Sequence, residues 1–237
     1  MNNIEMVALI YKSTNYLNFI INEFRKDFCK VDGWEVKFRL IANDATEGVL
    51  ATLANSGVPY TILNNPNPQE YYLNRVYRAW NFGATTSGAE NICFVNSDDV
   101  FSKDWLKNLL KHHNGINIPV SRLIESGKMP SGTYGITQYF GNSPASINFD
   151  AWDTFVNNTA EDRTEPGGLF MPVVFNVEQF KNSGMFPEGN IYNDGVGTLN
   201  GPVIQSGDAY FYKKLETDFG MKHITVFDSL IYHIQEG

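Results

Sequence analysis

The sequence predicts an α/β domain: a mixed, mostly parallel sheet flanked by helices, folded as one domain. Two observations carry this. Short apolar runs alternate with helically periodic stretches through the first half of the chain. Two of those runs, far apart in sequence, break off into acids, at Asp44 and at Asp98–Asp99. In a parallel α/β sheet, ligands bind beyond the carboxyl ends of the strands, so both acids are expected on one functional edge.

The elements follow in order. MVALIY (6–11) reads as a strand buried on both faces. Residues 16–28 place Leu17, Ile20, Ile21, Phe24 and Phe28 at helical spacing. EVKFRLIAND (35–44) is a second strand, TEGVLATLANSG (46–57) a short helix stopping at Gly57, and PYTILNN (59–65) a third strand before NPNP. A helix over 71–88 leads to NICFV (91–95), a fourth strand, and DWLKNLLKHH (104–113) is amphipathic. Residues 114–170 are rich in Gly, Ser and Pro around 127–146 and read as loops with short antiparallel strands. A short helix is expected within 176–189, a helix over 206–223, and a strand with a tail from Ile224 onward. No internal repeat or linker interrupts the 237 residues.

Composition narrows the function. With 43% apolar and 19% charged residues the chain has the balance of a globular protein, long enough to bury roughly 70–75% of its unfolded surface. A net charge of −8 argues against nucleic acid or an anionic membrane as partner. Cys29 and Cys93 form no CxxC pattern, which argues against a structural zinc. The first residues show no basic leader with an apolar stretch, and no run approaches the ~18 apolar residues of a membrane span. A cytoplasmic protein without an integral membrane segment is the expectation. Aromatics, at 14%, suit sugar or base stacking, though large core residues account for them more simply.

Several clusters could carry chemistry. In NSDD (96–99), carboxylates at a strand end can hold Mg²⁺ or Mn²⁺ through oxygen, leaving positions open for phosphate. A turn in which Asp99 or Ser102 caps the next helix is the plainer account. Asp44 can accept hydrogen bonds from a base or ribose, or simply cap a helix, as Thr46 can. Asp208 opens a helix whose dipole keeps it ionised: a general base or a cap. His233 is a core histidine or a ligand. Arg75 and Arg78 share a helix face, either solvated or directed at a diphosphate.

The order of these pieces resembles the GT-A fold nucleotide-sugar glycosyltransferases, most closely the inverting family 2 group. LIYKSTNY matches that family's PTYN-like turn, with Asn15 and Tyr16 in place; ANDATEGVL matches its DDGSTDGT turn. RAWNFG keeps Asn81 and Gly83 of its ARNxG helix, with Trp80 in the place of the Arg, and NSDD stands at its DxDD element, with Asn96 for the first acid. FNVEQFKNSGMFPEG resembles the family's acceptor-side segment, and SGDAYFYKKLETDFGMKH its GEDxDL helix, with Gly207 for the acid before Asp208.

The resemblance implies a donor-binding half (1–100) and an acceptor-binding, catalytic half (101–237). It makes Asp208 the base. Lys12, Ser13, Asn15, Asp44, Arg75, Arg78, Asn81, Asn96, Ser97 and Asp98 become donor contacts. A divalent Mn²⁺ or Mg²⁺ falls to Asp98 and His233, with Asp99 as a further candidate. Asp98, Asp208 and His233 are expected around one pocket rim. The partners implied are a nucleoside-diphosphate-sugar and a carbohydrate or other hydroxyl acceptor, the latter held by region 130–170, where Tyr134, Tyr139, Phe140 and Trp152 could stack on sugars. Two other readings stand beside this one. The departures at Asn96 and Gly207 favour a non-catalytic nucleotide-sugar or glycan-binding module. A sugar nucleotidyltransferase would carry a Gly-rich phosphate loop near the N-terminus, and KSTNY has no glycine.

Overall fold

The computed structural model describes residues 2–67, 69–129 and 131–235. Expected loop or tail residues Pro68, Pro130, Glu236 and Gly237 lie outside the described residues, as does Met1. Strand β1 (Asn2–Ile10) leads to helix α1 (Thr14–Arg25), β2 (Trp34–Asn43), α2 (Glu47–Ser56), β3 (Tyr60–Leu63), α3 (Tyr72–Thr85) and β4 (Asn91–Val95). Next come β5 (Asp99–Phe101), α4 (Trp105–Lys111), β6 (Asn117–Glu125), β7 (Ile136–Thr137), α5 (Phe149–Thr159) and β8 (Thr164–Pro166). The chain continues with β9 (Val173–Asn176), α6 (Val177–Asn182), β10 (Ile191–Tyr192), β11 (Gly195–Val196), α7 (Gly207–Phe219) and β12 (Lys222–His233).

One sheet runs in the order β3-β2-β1-β4-β9-β6-β12-β5, with β7 beside β6 and β8 beside β12. β1, β2, β3 and β4 are mutually parallel, as are β6 and β12. The short β9 runs antiparallel between β4 and β6, so β4, β6 and β12 all point the same way. Their carboxyl ends share one edge of the sheet.

Alternation along the strands explains the two-layered core. In β4, Cys93 and Val95 face a cluster with Leu17, Ile20 and Phe24 of α1 and Trp105 of α4; Ile92 and Phe94 face the other, with Trp80 of α3, Phe180 of α6 and Phe211 of α7. Burying a side chain such as Phe94 stabilises by roughly 1.5–3 kcal/mol, and both faces of the central strands collect that gain. Local chemistry sets the helix ends. Ser13 Oγ accepts from the Tyr16 amide (3.3 Å), while α2 and α7 stop at Gly57 and Gly220, with φ of 70° and 64°. Beneath α3, Arg39 is buried and fully used: it pairs with both carboxylate oxygens of Glu5 and donates to Thr61, Thr86 and the Gly83 carbonyl.

The mixed, mostly parallel sheet of the sequence expectation is present, and the eight elements expected up to residue 113 fall within a few residues of their bounds, while β5 is an addition to them. Residues 114–170 differ. They contain β6, a nine-residue strand at the centre of the sheet, and the eleven-residue helix α5. The β6 sequence NIPVSRLIE hides its strand because Pro119, Ser121 and Arg122 break the apolar run. Tertiary partners satisfy the polar ones: Ser121 Oγ meets Ser229 Oγ at 2.8 Å, and Arg122 Nε donates to the Tyr134 carbonyl at 2.9 Å. Phe140 and Trp152 are core residues in mutual edge contact at 5.4 Å, so they are not available for sugar stacking. Tyr134 leans on Phe227, and Tyr139, 60% exposed, remains open. No helix among the described residues is long and apolar enough to cross a membrane.

Candidate active site

β4 ends at Val95, and residues 96–98 hand the chain directly to β5. β5 does not pair with β4. It crosses to β12 and pairs antiparallel, setting Asp99 opposite His233. On the other flank of β12, the parallel register with β6 sets His233 opposite Glu125. A single row across three strands therefore reads Glu125, His233, Asp99. Asp98 joins from the turn: its carbonyl accepts from the Ile234 amide (3.1 Å), and its Oδ2 lies 3.5 Å from His233 Nε2. The other ring nitrogen, Nδ1, is 3.0 Å from Glu125 Oε2.

The electrostatics of this cluster are unusual. Asp99 is wholly buried; burial, reinforced by the charges of Asp98 and Glu125, pushes its carboxyl up to about 8 against the pull of His233. Burial alone would lower the His233 imidazole, but its hydrogen bonds to Asp98 and Glu125 and the charges of Asp98 and Asp99 hold it well above its ordinary value. Ligand atoms of Asp98, Asp99 and His233 all lie within 4.8 Å of one another. Asp99 Oδ2 accepts from the Asn96 amide (2.8 Å), while Asp99 Oδ1 is buried with no hydrogen-bond partner. Two carboxylates, an imidazole and an orphaned buried oxygen fit a divalent ion.

A second group sits just past the carboxyl end of β2, on the same edge of the sheet. Asp44, with φ 50°, accepts from the Asn65 amide and side chain (both 2.8 Å) and pairs with Arg75 at 3.0 Å. Burial would raise this carboxyl, yet the Asn65 and Arg75 bonds outweigh it and keep it low. Arg75 Nε is buried without a partner, and the guanidinium lies 5.5 Å from the ring of Tyr11, which is 44% exposed at the end of β1. The Thr46 amide donates to the Tyr11 carbonyl (3.1 Å), joining the turns after β1 and β2. Lys12 and Asn15 are exposed in the first turn and its helix, while Ser13 is spent on its cap.

Four other expected donor contacts have different surroundings. Arg78 is held by Glu70, by Glu188 at 2.9 Å and by Asn65 at 2.8 Å, so its charge is already matched. Asn81 is buried, donating to the Phe186 carbonyl (2.8 Å) and accepting from the Phe186 amide (3.0 Å); it clamps α3 to the loop after α6 rather than facing a donor. Asn96 and Ser97 are half-buried in the turn beside the cluster.

Asp208 lies outside the Asp98–Asp99–His233 group. It stands half-buried in the first turn of α7, where its amide donates to Tyr77 Oη (3.1 Å) and its Oδ1 accepts from the Ala209 amide (2.7 Å). Helix α7 runs into β12 through the turn at Gly220, so it opens toward the sheet edge at which β12 ends. Gly207, just before it, has no room for a side chain. A Cβ there would lie 2.5 Å from the Gly189 carbonyl oxygen and 2.8 Å from Tyr77.

No protein-family model and no curated protein sequence matches the chain. Solved structures do match its fold. The mannosyltransferase PcManGT from Pyrobaculum calidifontis, in complex with GDP-Man and Mn²⁺, aligns over 99% of this chain and 58% of its own, with a TM-score of 0.59 at 12% identity. S. aureus TarS 1-349 aligns over 98% of this chain and 60% of its own, with a TM-score of 0.56 at 15% identity. Both neighbours are of GT-A type. The chain has the GT-A fold. It spans about three fifths of the length of these GT-A neighbours. A complex of TarS 1-349 with UDP-GlcNAc aligns as well, with a TM-score of 0.54 at 14% identity.

Two residues of this GT-A edge escaped the sequence reading. Glu125 ends β6 as Asp44 follows β2, and the same rule, an acid at a strand's carboxyl end, would have found it had β6 been read as a strand. Tyr11 continues the apolar run of β1, so the pattern alone places it in the strand; its exposure beside Arg75 separates it from the core.

Proposed function

We propose that the chain is a glycosyltransferase that moves a sugar from a nucleoside-diphosphate-sugar to a hydroxyl acceptor by a single inverting displacement. The observation that carries this is the cluster of Asp98, Asp99 and His233 at the carboxyl-end edge of a GT-A fold. Residues 1–100 form the donor-binding half and 101–237 the acceptor-binding, catalytic half. The complexes of GT-A neighbours with GDP-Man and Mn²⁺ and with UDP-GlcNAc lend support.

Asp98, Asp99 and His233 would hold the divalent ion, and the imidazole favours Mn²⁺ over Mg²⁺. When bound, the ion supplies positive charge against the departing diphosphate. Asp44 and Arg75 take the nucleoside end, with Tyr11 as a face for the base. Asp208 takes the proton of the acceptor hydroxyl. As the acceptor oxygen bonds to the anomeric carbon, the bond from that carbon to the diphosphate oxygen breaks on the opposite face, and its electron pair leaves with the diphosphate.

A thermal-shift screen of UDP-, GDP-, dTDP- and CDP-sugars with and without Mn²⁺ tests this reading. One donor at ~100 times its Kd should stabilise by about 2.7 kcal/mol, with Mn²⁺ strengthening the effect. No shift with any donor refutes the reading. Because Gly207 leaves no space for the acid that family 2 carries there, a binding module without transfer is the second reading. Release of nucleoside diphosphate on incubation with donor separates the enzyme from the binder.

A further inference from the structure

The row across β6, β12 and β5 gives His233 two different neighbours on its two ring nitrogens. Nδ1 faces Glu125 Oε2 at 3.0 Å, and Nε2 faces Asp98 Oδ2 at 3.5 Å, beside Asp99. We propose that Glu125 is the positioning residue of this site: by accepting the Nδ1–H of His233, it turns the ring so that Nε2 is the atom presented to a cation between Asp98 and Asp99. The cation itself rests on the function proposed above; the ring orientation does not.

Three observations support the assignment. Glu125 is buried, which is costly for a carboxylate unless a partner compensates, and its hydrogen bond with His233 Nδ1 supplies that compensation. The pairing is dictated by backbone register, since parallel β6 and β12 place the two residues directly opposite each other, so the contact does not depend on a mobile loop. Glu125 is also excluded from the ligand group itself: the atoms that converge within 4.8 Å are those of Asp98, Asp99 and His233. A carboxylate that fixes the far nitrogen of a ligating imidazole sets its tautomer and direction, and losing such a partner typically weakens metal binding about 10–100-fold.

Two substitutions separate orientation from charge. Glu125→Gln keeps an acceptor oxygen for Nδ1–H but removes the charge; Glu125→Leu removes the acceptor at similar volume. Mn²⁺ affinity is read from the electron paramagnetic resonance of free Mn²⁺, without donor, with Asp98→Asn as the ligand-loss control. Glu125→Leu should bind Mn²⁺ about 10–100-fold more weakly, and Glu125→Gln should recover most of that loss. Equal weakening in both variants, or wild-type affinity in Glu125→Leu, overturns the proposal. A second readout needs no metal. In chelator-treated, ¹⁵N-histidine-labelled protein, the His233 Nδ1–H resonance, assigned through its loss in His233→Gln, should be protected from exchange in the wild type and in Glu125→Gln and lost in Glu125→Leu. If it persists unshifted in Glu125→Leu, Glu125 does not position the ring. If the wild type binds no Mn²⁺ while the resonance behaves as stated, the metal reading of the site falls and the role of Glu125 stands.

Discussion

Asn81 and Phe186 hold each other reciprocally: the side-chain amide donates to the Phe186 carbonyl at 2.8 Å and its oxygen accepts the Phe186 amide at 3.0 Å. The pair joins the middle of α3 to the loop that follows α6. Since the site is buried, removing one side leaves backbone groups unsatisfied, which costs about 1–3 kcal/mol per group. Asn81→Ala should therefore lower stability in urea by ~2 kcal/mol while leaving the Kd for nucleotide unchanged. A large loss of nucleotide affinity at unchanged stability would return Asn81 to the donor site.

Asp208→Asn keeps the shape of the α7 first turn and the hydrogen bond from the residue 208 backbone amide to Tyr77 Oη. General-base catalysis is worth about 10²–10⁴ in rate, so turnover should fall by that factor with donor affinity nearly intact. Steady-state kinetics with a calorimetric Kd for the donor check both halves. A fully active variant would show that another group takes the proton.

Gly207→Ala tests how tightly that turn is seated. The added methyl meets the Gly189 carbonyl at 2.5 Å, a backbone atom that cannot swing aside. Overpacking of this kind costs about 1–3 kcal/mol, and here the strain falls on the residue next to Asp208. A drop in Tm together with a drop in kcat is expected. Wild-type stability would mean that the Gly189 loop yields freely.

His223 gives a pH signature independent of the site. Burial depresses its imidazole to about 4, with Nε2 2.9 Å from the Leu169 carbonyl and the ring against Tyr212. The unfolded chain, with the ordinary value near 6.5, binds more protons between those two limits, so this residue's contribution to stability is present above 6.5 and is lost as pH falls toward 4. His223→Phe removes that titration. Its stability deficit against the wild type should shrink by about 2 kcal/mol between pH 7 and pH 5 in urea unfolding. A deficit constant across that range would show that the ring is hydrated in the folded state.

Legibility in the sequence followed the range of the interactions. Apart from β5, strands and helices up to residue 113 announce themselves through periodicity, because each is decided by its own apolar pattern. β6 did not, since Ser121 and Arg122 are made acceptable by Ser229 and Tyr134, partners that no local pattern contains. The same holds for the site. Asp44, Asp98 and Asp208 could be picked out as acids at element ends, but the ion pair of Asp44 with Arg75 and the crossing of β5 to β12 are tertiary facts. A three-residue strand such as β5 has too few residues to show a period, so periodicity is silent on the juxtaposition of Asp99 and His233, which only the family resemblance implies. Phe140 and Trp152 looked like stacking surfaces for the complementary reason: composition reveals aromatic rings but not which way they turn.

The crossing of β5 to β12 also sets a timetable for the newborn chain. During synthesis the 96–101 stretch emerges long before the strand that it must pair with, and more than a hundred residues have to be made and threaded into the sheet first. The central carboxylates must spend that interval solvated and unattached. Competence to grip a cation thus waits on β12, the strand that slides in between β6 and β5.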